Sequence, residues 1–391
     1  MSRGEVHPIS SATAIGARTA TSAVSIPTPG ARTATSAASA SALIKAHALA
    51  LGFDLCRITS AAPPASGNRF EAWLEAGHHG TMEYLARNAA RRLDPNLVLP
   101  GSRSVICLAV SYHHKAPSPT AATATTTGRI ARYSRFADYH EIVGARLREL
   151  AAFVDAHGEP GTRSLAYVDT GPVLERDLAQ RAGLGFIGKH TNLISRNLGN
   201  CFVLAEILTT AQLDPDPPER NRCGSCTRCL SACPTGALVE PFVLDARRCI
   251  AFLTIELKGS IPVEWRPALG TRIFGCDDCL EACPWNRFAR EAHLMRAHVR
   301  DDLELPDLVE LLSLDDAAFR SRFRGTPIAR AKRRGLLRNV AVALGNLGDA
   351  AALPALERAA QDAEPLVAEH ATWAIERCRA ILPGVSPQIN T

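Results

Sequence analysis

Eight of the chain's twelve cysteines lie between Cys223 and Cys283, and their spacing is regular. The first run reads Cys223-Gly-Ser-Cys226-Thr-Arg-Cys229-Leu-Ser-Ala-Cys233-Pro234. Cys249 follows, then Cys276-Asp-Asp-Cys279-Leu-Glu-Ala-Cys283-Pro284. Thiols clustered this tightly, in a chain without the compact apolar core of an export signal, point to metal rather than disulfides. In a C-x2-C-x2-C-x3-C-P run the first three thiolates hold one [4Fe–4S] cube and the fourth reaches across to another. By that crossing, Cys223, Cys226, Cys229 and Cys283 hold one cluster. Cys233, Cys249, Cys276 and Cys279 hold the second, with Cys249 replacing the missing member of the second run. Four thiolates also suit tetrahedral zinc. Zinc knuckles, however, have no use for a third Cys two residues on, nor for Cys-Pro endings. The remaining Cys56, Cys107, Cys201 and Cys378 sit in apolar surroundings and read as small core residues.

Two adjacent clusters make an electron path whose potential can lie far below zero. A carrier alone needs far less chain than 391 residues, so the clusters are expected to feed a redox site elsewhere in the chain. A dinucleotide site is not indicated: Gly183-Leu-Gly-Phe-Ile-Gly188 has the glycine spelling but follows a helix and precedes none.

The elements around the cysteines read as α+β. Residues 104–112 and 164–168 are predicted strands, and 140–157 a helix with apolar residues at helical spacing. Residues 174–183 are a second helix, and 192–194 with 202–208 a strand pair joined around Asn197-Leu-Gly-Asn200. The expected organisation is a disordered tail over 1–40, a mixed α/β domain over 41–215, a ferredoxin-like two-cluster domain over 216–304, and a helical domain over 305–391. Within the last, 336–344, 351–360 and 366–381 resemble about one and a half HEAT repeats. The tail repeats Ala-Arg-Thr-Ala-Thr-Ser-Ala at 17–23 and 31–37, and a Thr/Ala/Ser/Pro insert at 117–128 reads as a flexible loop. With 46% hydrophobic and 21% charged residues and a net charge of +5, the composition is that of a soluble protein. No apolar run approaches the roughly 18–20 residues of a membrane span, so no membrane partner and a cytoplasmic location are expected.

Several further stretches resemble the epoxyqueuosine reductases. They are Ala131-Arg-Tyr-Ser-Arg-Phe-Ala-Asp-Tyr-His140, Val168-Asp-Thr-Gly-Pro-Val-Leu-Glu175, and Ala182-Gly-Leu-Gly-Phe-Ile-Gly-Lys-His-Thr-Asn-Leu-Ile194. Leu204-Ala-Glu-Ile-Leu-Thr209, Leu253-Thr-Ile-Glu256, Gly275-Cys-Asp277 and Cys283-Pro-Trp-Asn286 continue the likeness, which spans roughly 41–380. The resemblance implies two [4Fe–4S] clusters plus cobalamin, and reduction of an epoxide on a modified tRNA wobble base to the alkene of queuosine. It places the proton donor at Asp169, which would need to be held protonated by burial or by a nearby negative charge. It makes Arg92, Tyr133, Arg176, Lys189, His190, Glu256 and Asp277 candidate cobalamin contacts. His140 misses the D-x-H-x-x-G cobalamin signature by one place, since Gly144 comes late, and reads as the start of a helix.

Arg330, Lys332, Arg333, Arg334 and Arg338 fall within nine residues with no acid among them. Such a patch suits phosphate contact, and beside the resemblance it is expected to meet the anticodon arm of the tRNA. A monomer served by an unidentified low-potential electron donor is expected. The competing readings are a corrinoid iron–sulfur reductive dehalogenase and a non-catalytic electron-transfer protein.

Overall fold

The structure, a computed structural model, describes residues 37–114 and 126–381. The expected disordered tail and its repeats lie outside the described residues up to Ser36, as does 115–125 of the Thr/Ala-rich insert. The described residues open with helix α1 (Ala37–Ala50), which takes in the last residues assigned to the tail.

Four antiparallel strands form the central sheet: β1 (Leu55–Ser60), β2 (Ser104–Ser111), β3 (Ser164–Tyr167) and β4 (Phe202–Thr209), in the order β1-β2-β4-β3. Every residue of β2 is buried, as its unbroken apolar run requires: neither face of the strand meets water. On one face Ile58, Ile106, Leu108 and Ile207 pack against α1 and α2 (Tyr139–His157), through Ile44, Val143, Leu147 and Leu150. On the other, Val105, Cys107, Ala109 and Leu208 meet Leu178 and Ala179 of α3 (Glu175–Arg181). Burial gives each Val, Leu or Ile among them about 1.5–3 kcal/mol. The sheet is thereby a packed floor beneath the loops at its end.

The expected hairpin between 192–194 and 202–208 is not formed. Leu193–Ile194 pairs instead with Phe186–Ile187, while β4 goes to the central sheet. The glycine run makes this pairing possible. Gly183 has φ +79°, and a side chain at Gly185 would strike the carbonyl oxygen of Ile194. These glycines serve a tight turn and a close strand approach.

The C-terminal third is helical, with α4 (Lys332–Leu347), α5 (Leu353–Ala359) and α6 (Pro365–Ile381). Residues 335–345 of α4 are buried throughout, and Gly348 ends it at φ +68°. The core around α4 contains Ile130, Ile273 and Phe274 beside Leu336, Val340 and Leu344. It therefore crosses both expected boundaries, at 216 and 305, and the described residues belong to one compact unit. Among the described residues no helix is long and apolar enough to cross a membrane.

Candidate active site and iron–sulfur centres

A cavity of about 830 Å³ opens at the end of the sheet, toward the upper end of the range for small-molecule sites. One wall comes from the sheet and the loop after β3, through Tyr112, Asp169, Pro172 and Phe202. The opposite wall comes from the cysteine region, through Cys249, Phe252, Glu256, Cys276 and Asp277. Arg92, Tyr133, Arg176 and Arg330 also line it. Six of the eight residues that the resemblance singles out for the cofactor or for catalysis are thus brought together: Arg92, Tyr133, Asp169, Arg176, Glu256 and Asp277.

Asp169 sits two residues past β3 in left-handed backbone, φ +60°. Asp tolerates that region better than most residues, yet it still costs roughly 1–3 kcal/mol. The surrounding loop fixes it. Thr170 N–H donates to the Val168 carbonyl at 2.6 Å, Gly171 lies close against the Tyr167 side chain, and Arg92 donates to the Val173 carbonyl at 3.0 Å. The Nε of Arg92 is buried without a partner.

The Tyr139 hydroxyl donates to Asp169 Oδ2 at 2.8 Å. His140 Nε2 stands 3.8 Å from the same oxygen and Arg330 Nη1 3.9 Å. At 3.8 Å the histidine contact is an ion pair rather than a hydrogen bond, and Nε2 has no hydrogen-bond partner. Its Nδ1 is held by Asp138 at 2.7 Å, and Asp138 also caps α2 by accepting from His140 N–H. Burial pulls Asp169 upward, but contact with His140, the Tyr139 hydroxyl and the charge of Arg330 outweigh it and hold the carboxyl below its usual range. Burial likewise pulls His140 down, and its two carboxylate neighbours overcome this and raise it to about 9. The expectation that Asp169 is held protonated is therefore not met. The carboxylate is 47% exposed toward the cavity and surrounded by donors, so at neutral pH the proton resides on His140.

Other acids here carry protons more readily. Burial and the nearby Asp169 charge raise Glu175 to about 7. Burial raises Asp277 although it accepts the Arg132 N–H at 2.7 Å. Sequence reasoning misses Tyr139, His140 and Glu175 as site residues. The available signal is an Asp-Tyr-His triplet opening a helix, which by itself reads only as a helix start.

The thiols fall into the two expected groups. Cys223, Cys226, Cys229 and Cys283 line a small space of about 60 Å³. In the other group, Cys279 is raised first by burial and then by Cys249, Cys276 and Cys233, so these four lie in mutual electrostatic range. Among the described residues no three potential ligands converge on a single-ion position. The first four thiols share the lining of one small space.

Lys189 and His190 belong to the first group and not to the cavity. Lys189 N–H points to Cys223 Sγ at 3.4 Å and its Nζ donates to the carbonyls of Gly224 and Cys226. His190 is 2% exposed beside Cys223 and Cys229, and burial, then Arg176, lowers it to about 4. It is a neutral ring packed on a cluster site.

The basic run divides. Arg330 faces Asp169. Lys332 and Arg334 are exposed. Arg333 pairs with Asp362 at 2.5 Å and donates to the Leu314 carbonyl. Arg338 cannot meet a phosphate: it is 1% exposed and donates to the carbonyls of Leu253, Leu257 and Gly259. Arg338 shares a helix face with Arg334, but one turn further on α4 is buried all round, and there Arg338 ties α4 to the segment that follows Cys249.

Comparison with known proteins gives the family. Residues 222–286 match the family model described as a 4Fe-4S double cluster binding domain. Residues 92–170, ending just past Asp169, match the model described as epoxyqueuosine reductase QueG. The epoxyqueuosine reductase of Xanthomonas campestris is 42% identical over 340 residues, covering 86% of this chain and 95% of its own. The chain belongs to the epoxyqueuosine reductase family. The Escherichia coli reductase is 40% identical, covering 85% of this chain and 88% of its own. Among solved structures, an epoxyqueuosine reductase with an epoxyqueuosine-modified tRNA-Tyr stem loop superposes with a TM-score of 0.80 at 33% identity, covering 86% of this chain and 89% of that one. The Streptococcus thermophilus reductase superposes at 0.79 and 30% identity, covering 89% and 94%. The mixed helix–strand fold is thus that of these solved structures, and the chain carries a double-cluster region.

Proposed function

We propose that this chain reduces epoxyqueuosine in tRNA to queuosine, with cobalamin seated in the large cavity and Asp169 as the group that passes a proton to the departing oxygen. The observation carrying this reading is the position of Asp169, clamped at the cavity wall by Tyr139, His140 and Arg330, opposite Cys249 and Cys276 of the second cysteine group.

The cavity fits a corrinoid. It is large, its walls carry the flat rings of Tyr112, Tyr133 and Phe252, and the unpartnered Nε of Arg92 is a donor waiting for an acceptor. Arg92, Tyr133, Arg176, Glu256 and Asp277 would hold it. When bound, cobalamin supplies a strong nucleophile toward an epoxide carbon. The two cysteine groups would hold the clusters that deliver two electrons. Opening the epoxide to the alkene takes those electrons and two protons and releases water.

The chain's own part is proton handling. His140 holds a proton through neutral pH, next to an ionised Asp169. A ligand covering Asp169 removes its solvent, which disfavours the separated charges of the pair and favours transfer of the proton from Nε2 to the carboxylate. Asp169 then presents an acid to the leaving oxygen, and Glu175, poised near 7, is a nearby second source. One family structure, from Bacillus subtilis, is described as having its catalytic aspartate loop swung out of the active site. A mobile loop suits such a role.

On the RNA side, exposed Lys332 and Arg334 open α4 beside Arg330 at the cavity. The α4–α6 helices support a HEAT-like stack on which an anticodon arm would lie, with Arg330, Lys332 and Arg334 toward phosphate.

The test is anaerobic incubation of cluster-loaded protein with epoxyqueuosine-containing tRNA, cobalamin and a low-potential reductant, followed by nucleoside mass analysis. Cobalamin-dependent loss of one oxygen is expected. No conversion by a fully loaded preparation would retire this substrate.

A further inference from the structure

The two cysteine groups face different ways. Cys249 and Cys276 stand in the wall of the large cavity, whereas the first group encloses its own space with Trp285. On its outer side the first group is close to solvent. Gly224 and Ser225 are exposed, and a side-chain atom at Gly224 would meet nothing within 4 Å.

Positive charge gathers around this opening. Arg220, Arg222 and Arg228 are exposed, and Lys189 Nζ lies over the loop on the carbonyls of Gly224 and Cys226 at 2.9 and 3.0 Å. From 219 to 239 the one acid is Glu219, which Arg222 neutralises at 2.9 Å. On the other flank Trp285 packs on Phe186 and on Phe288. Phe288 is 41% exposed, with the Arg287 guanidinium 4.6 Å from its ring. An exposed aromatic ring carrying an arginine, beside a cysteine loop flanked by further cations, is the pattern of a transient electron-transfer interface, where charge steers the encounter and a small apolar patch seats it.

We infer that this face docks a small acidic protein that carries one electron at a time, and that electrons enter at the first cluster and leave by the second. The inference rests on the electron path of the proposed function. In each encounter the carrier loses one electron and the cluster gains one, with no bond made or broken. Two encounters supply what one epoxide consumes. An RNA is also a polyanion, but it must bring its base to the cavity, and this face adjoins the thiols that do not line that cavity.

The test uses the full-length, cluster-loaded protein and, as probe, reduced flavodoxin of strongly negative net charge, with cluster bleaching followed by anaerobic stopped flow. Arg220→Glu/Arg228→Glu/Arg287→Glu should slow reduction by flavodoxin at least tenfold. The wild-type rate should fall as salt rises, and reduction by the small cation methyl viologen should not slow. Should the triple variant lose iron, Arg220→Gln/Arg228→Gln carries the same comparison. Flavodoxin rates indifferent to both salt and charge would overturn the inference. So would a variant that loses affinity for a tRNA stem loop while its clusters reduce normally. Failure of the epoxide reaction with viologen-reduced wild type would count against the proposed function instead.

Discussion

The Tyr139 hydroxyl and Asp169 Oδ2 meet at 2.8 Å, joining the first turn of α2 to the left-handed residue after β3. Burial and the adjoining carboxylate raise the Tyr139 phenol well above its usual range, so it stays a donor. A hydrogen bond to a charged group is worth about 1.5–3 kcal/mol. Tyr139→Phe should therefore lower turnover about tenfold to a hundredfold, with iron content unchanged. Single-turnover rates on the modified stem loop measure this.

His140 sets the pH response. Its folded value of about 9 lies above the unfolded 6.5, so its contribution to stability is fully present below 6.5 and is lost as pH rises through 9. Asp169 and Asp138 are depressed from 3.8, so theirs is present above 3.8 and is lost as pH falls below it. The triad should stabilise the fold most between 3.8 and 6.5. The His140 ring resonance should titrate near 9, and in Asp138→Asn it should move down toward 6.5. Activity should decline through the same alkaline limb.

Arg338 is a structural cation. Arg338→Ala would strip donors from the carbonyls of Leu253, Leu257 and Gly259; Leu253 is buried, and leaving its carbonyl unpaired costs about 1–3 kcal/mol. A clear loss of denaturation midpoint is expected, with the salt dependence of stem-loop binding unaltered. Lys332→Ala/Arg334→Ala should do the reverse. Stability should hold, and the salt slope of binding should fall by about 0.7–0.9 for each phosphate the variant no longer neutralises.

Cys249 tests the partition of the thiols. Cys249→Ser should lower iron from about eight to about four per chain, leaving the first cluster with its spectrum. Loss of all iron would contradict two separable sites.

The cysteines are legible in the sequence because a thiolate code depends on spacing, the strand at 104–111 because a buried β-run is continuously apolar, and the half-buried strand at 164–167 because turn residues bound it. The cavity residues Arg92, Asp169 and Asp277 are placed by likeness to a family, since no local pattern joins positions so far apart in the chain. The proton inventory is not legible. Whether Asp169 or His140 holds the proton depends on distances of a few ångströms across the fold. Arg338 misleads for a related reason: a cluster of basic residues reads as a surface, yet α4 is buried nearly all round, and its arginine turns inward to satisfy backbone carbonyls.

Asp169→Asn tests the central claim most directly. The amide keeps the side chain's shape but cannot carry the proton. Assayed anaerobically on epoxyqueuosine-containing tRNA, the variant should keep its iron, its cobalamin and its RNA affinity while conversion to queuosine falls about 10²–10⁴-fold. Conversion at the wild-type rate would contradict the account and move the proton donor to another group.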